Sequence, residues 1–449
     1  MQRRRFLKYT SLGTASLVFS GCKGFNFGNS PPETTPPLDP FPNPAVNFGN
    51  LEKKDLVLGF LPVMGATPLI IAKEKGFFQK YGLNVTLKAQ LNWLEIETGL
   101  KEYRFDAAQT PYAMPLIAQF SDNYIPMSAL MVLHRHGSSI VLDRTAWDTS
   151  LRPARDYFNF QEFAKDFRKY IREGDQPFAY GIDSLTSNNY YLFRYWLSTI
   201  GIRTKKEVEW VEISPPEITT NLEKRLINGY CSEAPWDQQG IFEKQGFIAS
   251  ISKNIWTGHP GSVLSTMIPW IENHPTTARA LTAAILEACQ FCDLPEKRTE
   301  IGAIVAQNSY LNSDSSLIKK ALGETYQYGG FDQEIREDKI TDFYVFHHQN
   351  QDYFGEKDHA NYPWLSHGIW FLTQLIRWKS IKLQEYPKNA DYQLKKVYPL
   401  EIYEEVTKAL NIKIPRERMK IEPANVFIDQ REFDPSDPVK YLRQFPREL

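Results

Sequence analysis

The chain has 449 residues, 52 basic against 53 acidic side chains and a formal net charge of −1. That balance speaks against nucleic acid as a partner, which calls for a basic face, and the length is sufficient for two domains beyond any leader. Cys22, Cys231, Cys289 and Cys292 are too few and too unevenly placed for a disulfide framework or a zinc site.

At the N-terminus, Arg3-Arg4-Arg5-Phe6-Leu7-Lys8 is a basic segment, Thr10 to Phe19 is short and mostly apolar, and Ser20-Gly21-Cys22 places small residues before a cysteine. A spanning helix needs about 20 apolar residues, so residues 1–22 read as an export signal. The arginine pair resembles a twin-arginine signal, and Ser20-Gly21-Cys22 resembles a bacterial lipobox with Phe19 where leucine is commoner. On that reading Cys22 is diacylated and anchors the mature protein to the inner membrane, because two acyl chains hold where one does not. Residues 23–50, centred on PPETTPPLDPFPNP, read as an extended tether.

The body opens with a strand, loop, helix and strand unit. Leu56 to Leu61 is an apolar run of strand length, the loop Pro62 to Thr67 contains Gly65, Pro68 suits a first helical turn, and Val85 to Leu87 returns as a strand. Ligands of open α/β sheets sit beyond the strand carboxyl ends, which makes the Pro62 to Thr67 loop a candidate site wall. Helix and strand patterns repeat through residue 133, and the segment His134 to Leu142 reads as a crossover. A second α/β lobe begins at Ala179, where Ser187 or Asn188 is placed to cap the helix Tyr190 to Ile200. Val263 to Asn273 and Thr276 to Asp293 read as helices, the second carrying Cys289 and Cys292 as buried thiols. The resulting division is 51–140 for the first part of lobe 1, 141–254 for lobe 2, 255–328 for the return to lobe 1, and 329–449 for a C-terminal extension. Trp364, Trp370, Phe371 and Trp378 recur there at helical spacing, as expected of a wrap packed on the lobes.

This order predicts an α/β fold of the two-lobed periplasmic binding protein type (type II), with a C-terminal extension. PLIIAKEKGFFQKYG (Pro68 to Gly82), FRYWLSTIGI (Phe193 to Ile202), IWTGHP (Ile255 to Pro260), YPWLSHGIWFLTQLIRW (Tyr362 to Trp378) and FDPSDPVKYL (Phe433 to Leu442) resemble the nitrate- and bicarbonate-binding lipoproteins of cyanobacterial ABC importers. The resemblance covers nearly the whole mature chain. It implies a solute-binding lipoprotein facing the periplasm, an ABC transporter permease as partner, and a small polar solute or oxyanion as ligand. It implies no catalysis and no cofactor. Ligand sensing without transport, or binding of a sulfonate or a thiamine precursor, are the alternatives within the superfamily.

The resemblance also implies a pocket. The tryptophan after the second strand is Trp93, beside Asn92. The position of a histidine at the start of the second-lobe helix is Asn189, next to Asn188, and that of an anion-pairing lysine is Thr257. A glutamine after the crossover falls near His136 and Gly137, and a Gly-Glu-Pro-Trp run has become Glu233-Ala234-Pro235-Trp236. The expected ligand-binding set is therefore Asn92, Trp93, His136, Gly137, Asn188, Asn189, Glu233 and Thr257. No metal is expected, since Glu233 and Asp237 alone do not make the oxygen-rich shell that calcium needs. A buried anion must be met by charge or oriented donors, so with the lysine lost either the ligand has changed or others compensate: His134, Arg135 and His136 offer positive charge on the crossover, and the helix N-terminal amides beside Ala66-Thr67 and Asn188 offer donors.

Overall fold

The structure is a computed structural model and describes residues 45–174, 177–323, 325–347 and 359–445. The expected export signal, Cys22 and most of the tether lie outside the described residues.

Strands β1 (Asp55–Phe60), β2 (Asn84–Ala89), β3 (Ala107–Pro111) and β4 (Met127–Val132) belong to the first lobe. The two-residue β5 (Arg135–His136) lies in the first linker. The second lobe contains β6 (Ser138–Asp143), β7 (Phe178–Ile182), β8 (Val208–Glu212), β9 (Gly229–Glu233) and β10 (Gly246–Ile251), and β11 (Ser262–Met267) returns to the first lobe. Sheet order is β2-β1-β3-β11-β4 in lobe 1 and β10-β6-β9-β7-β8 in lobe 2. In lobe 1, β1 runs parallel to β2 and β3, while β11 is antiparallel to β3 and β4. In lobe 2, β7 is parallel to β8 and β9, whereas β6 is antiparallel to β9 and β10. Two mostly parallel halves thus bring the carboxyl ends of β1, β2, β3, β7 and β9 toward one cleft.

One expectation is corrected here. Val263 to Asn273 is not a single helix, because Ser262–Met267 is the strand β11 and only Ile268–Asn273 is helical. Every residue of β11 is buried, so apolar and small residues occupy both faces and its pattern cannot be told from a buried helix by periodicity. Pro269 then opens the helix where its missing N–H costs nothing.

The chain crosses between lobes twice, and the two crossings are stitched together. Leu133 N–H donates to the Ser262 carbonyl (2.8 Å) and Gly261 N–H to the His134 carbonyl (2.8 Å). The imidazole of His134 accepts from Ser262 N–H at Nε2 (3.0 Å), and that of His136 accepts from Gly258 N–H at Nε2 (2.7 Å). His136 (φ 60°) and Gly137 (φ 95°) are both left-handed and turn the chain into β6. A Cβ at position 137 would lie 2.2 Å from the Tyr344 ring, so glycine is needed there for space as well as conformation.

The C-terminal extension braces this crossing. Tyr344–Val345 pairs antiparallel with β5, Thr257 N–H donates to the Val426 carbonyl (2.8 Å), and Trp256 packs on Trp370 with ring centroids 4.5 Å apart. The helix Leu365–Arg377 also touches both lobes. Phe371 meets Tyr112 of lobe 1 at 5.2 Å, and Trp370 meets Tyr195 of lobe 2 at 5.4 Å. Of the aromatic residues read at helical spacing, Trp370 and Phe371 lie in this helix, and Trp364 and Trp378 flank its two ends. Trp370→Ala is expected to destabilise the protein by about 3–5 kcal/mol, read as a lowered urea midpoint. An unchanged midpoint would mean that the extension does not brace the lobes.

Candidate functional site

The cleft is built at the strand ends. Lobe 1 contributes the loop after β1, with the single turn Met64–Ala66, then Trp93 at the start of the helix Trp93–Lys101, and the start of the helix Ala113–Phe120. Lobe 2 contributes Asp183 just past β7, the start of the helix Asn188–Ile200, and Glu233 at the end of β9. Ser187 caps that helix, accepting from Tyr190 N–H at 3.1 Å.

The lobes are closed on each other mainly through donors of lobe 1 and acceptors of lobe 2. Trp93 Nε1 donates to Asp183 Oδ2 (2.8 Å), Gly65 N–H to Glu233 Oε2 (3.1 Å), Met64 N–H to the Ala234 carbonyl (2.9 Å), and Ala113 N–H to Asn188 Oδ1 (3.1 Å). In the other direction Trp236 Nε1 donates to the Pro62 carbonyl (3.0 Å). Asn189 Nδ2 adds a second donor to Asp183 Oδ2 (3.2 Å), and its Oδ1 accepts from the Ser138 hydroxyl (2.6 Å). Gly65 has no room for a side chain, since a Cβ there would lie 2.6 Å from His134 Nε2, 2.7 Å from Glu233 Oε2 and 2.8 Å from Gln109 Nε2. Three polar tips therefore converge on its backbone.

Burial sets the charges. It pushes Glu233 up to about 8, helped by the negative charge of Asp183 and opposed by the Gly65 N–H. Asp183 is also raised by burial, against its hydrogen bonds, and Asp237 goes up to about 6 although Tyr326 and Ser139 donate to it. Burial depresses the histidines: His134 to about 3, His259 to about 4, and His136 well below its ordinary value. Both linker imidazoles accept a backbone N–H at Nε2 and so are neutral with the proton on Nδ1. The expected positive charge of His134 and His136 is therefore absent at neutral pH, a consequence of full burial. Arg135 Nη2 donates to the His359 carbonyl (2.9 Å).

The structure brings Trp93, Asn188, Asn189 and Glu233 into this cluster. Asn92 stands beside it as the helix cap, accepting from Glu95 N–H at 2.9 Å. His136 and Gly137 lie in the first linker, where the His136 ring is committed to Gly258 and to the Asp342 carbonyl (3.1 Å). Thr257 is turned to the extension through Val426, with its hydroxyl on the Lys253 carbonyl (3.0 Å), and does not join the cluster. Sequence reasoning missed Asp183 and Gln109. The one signal for Asp183 was its place directly after the buried strand β7.

Two α/β lobes linked by two crossings and closed over the strand ends define a two-lobed periplasmic binding protein. The described family model, NMT1-like family, matches residues 49–306, and the chain belongs to that family. It is 29% identical over 459 residues to the nitrate/nitrite binding protein NrtA of Nostoc sp., covering 98% of each chain. It is 31% identical over 406 residues to the nitrate import ATP-binding protein NrtC of Synechocystis sp., covering 89% of this chain but 56% of that one, so it spans about half the length of that relative. The crystal structure of the periplasmic nitrate-binding protein NrtA from Synechocystis superposes with a TM-score of 0.78 at 25% identity, over 89% of this chain and 100% of that chain.

A carboxyl held protonated in the fold links stability to pH. Folded Glu233 keeps a proton up to about pH 8, whereas unfolded it loses it near 4.5, so its contribution to stability falls as pH rises from about 4.5 to about 8 and is flat above. Glu233→Gln removes that contribution. Urea melts should show the stability of the variant relative to wild type rising between pH 5 and pH 8, and a pH-independent difference would mean that the buried carboxyl is already ionised.

Proposed function

We propose that the protein is the extracytoplasmic solute-binding component of an ABC importer, which captures a small polar solute between its lobes and delivers it to a permease. The observation that carries this reading is the closure itself: Trp93, Gly65 and Met64 of lobe 1 bond directly to Asp183, Glu233 and Ala234 of lobe 2. A cleft that shuts through so few polar contacts suits a solute of a few heavy atoms, as do the nitrate and nitrite in the names of its relatives. Asn188 and Asn189 hold the second-lobe edge, and Trp93 forms one wall. Trp93→Ala is expected to weaken binding of the native solute at least tenfold while the urea midpoint shifts less in proportion. Native mass spectrometry of the purified protein identifies that solute, and calorimetry measures the loss. Equal affinity in the folded variant would remove Trp93 from the site.

The likeness to about half of an ATP-binding transport protein favours a second reading, in which the chain senses the solute and regulates a transporter. Deleting it separates the two. Lost uptake supports the importer subunit, and retained uptake with lost regulation supports the sensor.

Anchoring through Cys22 completes the proposal and rests on the sequence Ser20-Gly21-Cys22. Labelled fatty acid should enter the wild-type protein, and Cys22→Ala should release it from membranes. A variant that still fractionates with membranes, beside an unlabelled wild type, would rule the anchor out.

A further inference from the structure

The solute class follows from which groups the cleft leaves unmatched, and this step rests on the solute-binding reading above. Asp183 and Glu233 end the neighbouring strands β7 and β9, so two carboxyl groups enter the cleft from the same lobe. Each is only 8% exposed. Burying such groups is costly unless donors meet them.

Lobe 1 supplies some donors, but not enough. Glu233 Oε2 takes the Gly65 N–H, with the Tyr344 hydroxyl at 3.4 Å. Asp183 Oδ2 takes Trp93 and Asn189. Asp183 Oδ1 is buried without a hydrogen bond of good geometry, although the Ser187 hydroxyl is near enough to favour the charged carboxylate. The neighbouring basic groups are turned elsewhere. His134 Nε2 lies 3.7 Å from Glu233 but accepts from Ser262, Arg135 donates to His359, and Lys253 pairs with Asp342 at 2.6 Å.

The arrangement has a further consequence for anions. The Gly65 N–H, in the turn before the helix Thr67–Glu74, is the place where a small oxyanion would be seated. Here the chain's own carboxyl group occupies it, and a second carboxylate stands nearby. An entering oxyanion would meet repulsion and find its donor already used. A metal ion is poorly matched as well, because among the described residues no three His, Cys, Asp or Glu side chains are grouped to hold one.

We infer that the cleft takes a small organic solute rich in N–H donors, of the ammonium, amidinium or guanidinium class, with Asp183 Oδ1 as its acceptor, and that it rejects free oxyanions. Asp183 is then the residue that determines specificity, and Glu233 is the built-in occupant of the anion seat.

The test is calorimetry on the purified protein with the chlorides of ammonium, methylammonium, acetamidinium and guanidinium, each at millimolar concentration, beside sodium nitrate, nitrite, bicarbonate and formate. Wild type should bind at least one of the cations and none of the anions. Asp183→Asn, checked by its melting curve, should weaken that cation at least tenfold, since an amide keeps the shape but offers one acceptor where the carboxylate offered two. Glu233→Ala should vacate the seat at Gly65 and gain measurable affinity for formate or nitrate. A wild type that binds an oxyanion and no cation overturns the inference and leaves the solute-binding reading standing. So does a folded Asp183→Asn variant with unchanged cation affinity. Absence of heat with every cation and every anion also overturns it, and if native mass spectrometry then finds no bound solute, the solute-binding reading falls too.

Discussion

The position of the two lobes depends on a pair of uncharged imidazoles. His134 and His136 sit where the chain first crosses between lobes, and each accepts a backbone N–H from the second crossing, Ser262 for one and Gly258 for the other. Only the neutral ring can accept at Nε2. Full burial enforces that state, and the Nδ1–H of His136 is fixed on the Asp342 carbonyl. Antiparallel backbone pairing joins the linkers as far as the Arg135–Pro260 bridge, and it gives out where His136 and Gly137 are both left-handed as the chain turns from lobe 1 into lobe 2. Side-chain acceptors take over what a ladder would have done. Protonating either ring would leave a backbone donor facing a donor in a water-free site.

The same burial gives the cleft its polarity. Where it keeps histidines uncharged it also raises the proton affinity of carboxyl groups, so Glu233 and Asp183 are shifted upward, and among the described residues no Lys or Arg pairs with them. Lobe 1 presents N–H groups, from Trp93, Gly65, Met64 and Ala113, and lobe 2 presents oxygens, from Asp183, Glu233, Ala234 and Asn188. Each such bond contributes on the order of 1 kcal/mol net. Closure is therefore held by a small total, and a solute can shift it only through what it bonds better in the closed form than in the open one.

The fold was legible because its signals are local and redundant. A strand-length apolar run, a glycine-bearing loop and a proline-started helix recur in one order, and the motifs around Pro68 to Gly82 and Tyr362 to Trp378 place both ends of the body. The strand β11 escaped because both of its faces are buried, which erases the alternation that marks a strand. The site was legible only in part. Trp93, Asn189 and Glu233 share a cluster because they follow strand ends, and that rule is readable from order alone. Asp183 obeys the same rule, yet an acid after a strand looks like any solvated loop residue until the opposite lobe covers it. The charge on His134 and His136 was misjudged for a related reason: burial by segments more than a hundred residues away in sequence decides protonation, and no local pattern reports it. Thr257 stands apart from the cluster, its backbone bonded to the extension through Val426.

The extension narrows what remains for the cleft to decide. Its helix Leu365–Arg377 packs on Tyr112 of lobe 1 and Tyr195 of lobe 2, its strand Tyr344–Val345 is paired with the first linker, and Phe427 packs on Trp256 of the second. Aromatic pairs of this kind contribute about 0.5–1.5 kcal/mol each beyond their buried area. Opening the lobes widely would shear several of them together, so these contacts oppose a wide opening more than a limited parting of the cleft rim. The bonds that differ between open and closed forms are then the few at the rim, and Asp183 and Glu233 are the ionisable partners among them. The selectivity proposed for this chain therefore resides in the carboxyl side of that rim, while the scaffold that positions it is the fold shared with the nitrate-binding protein NrtA.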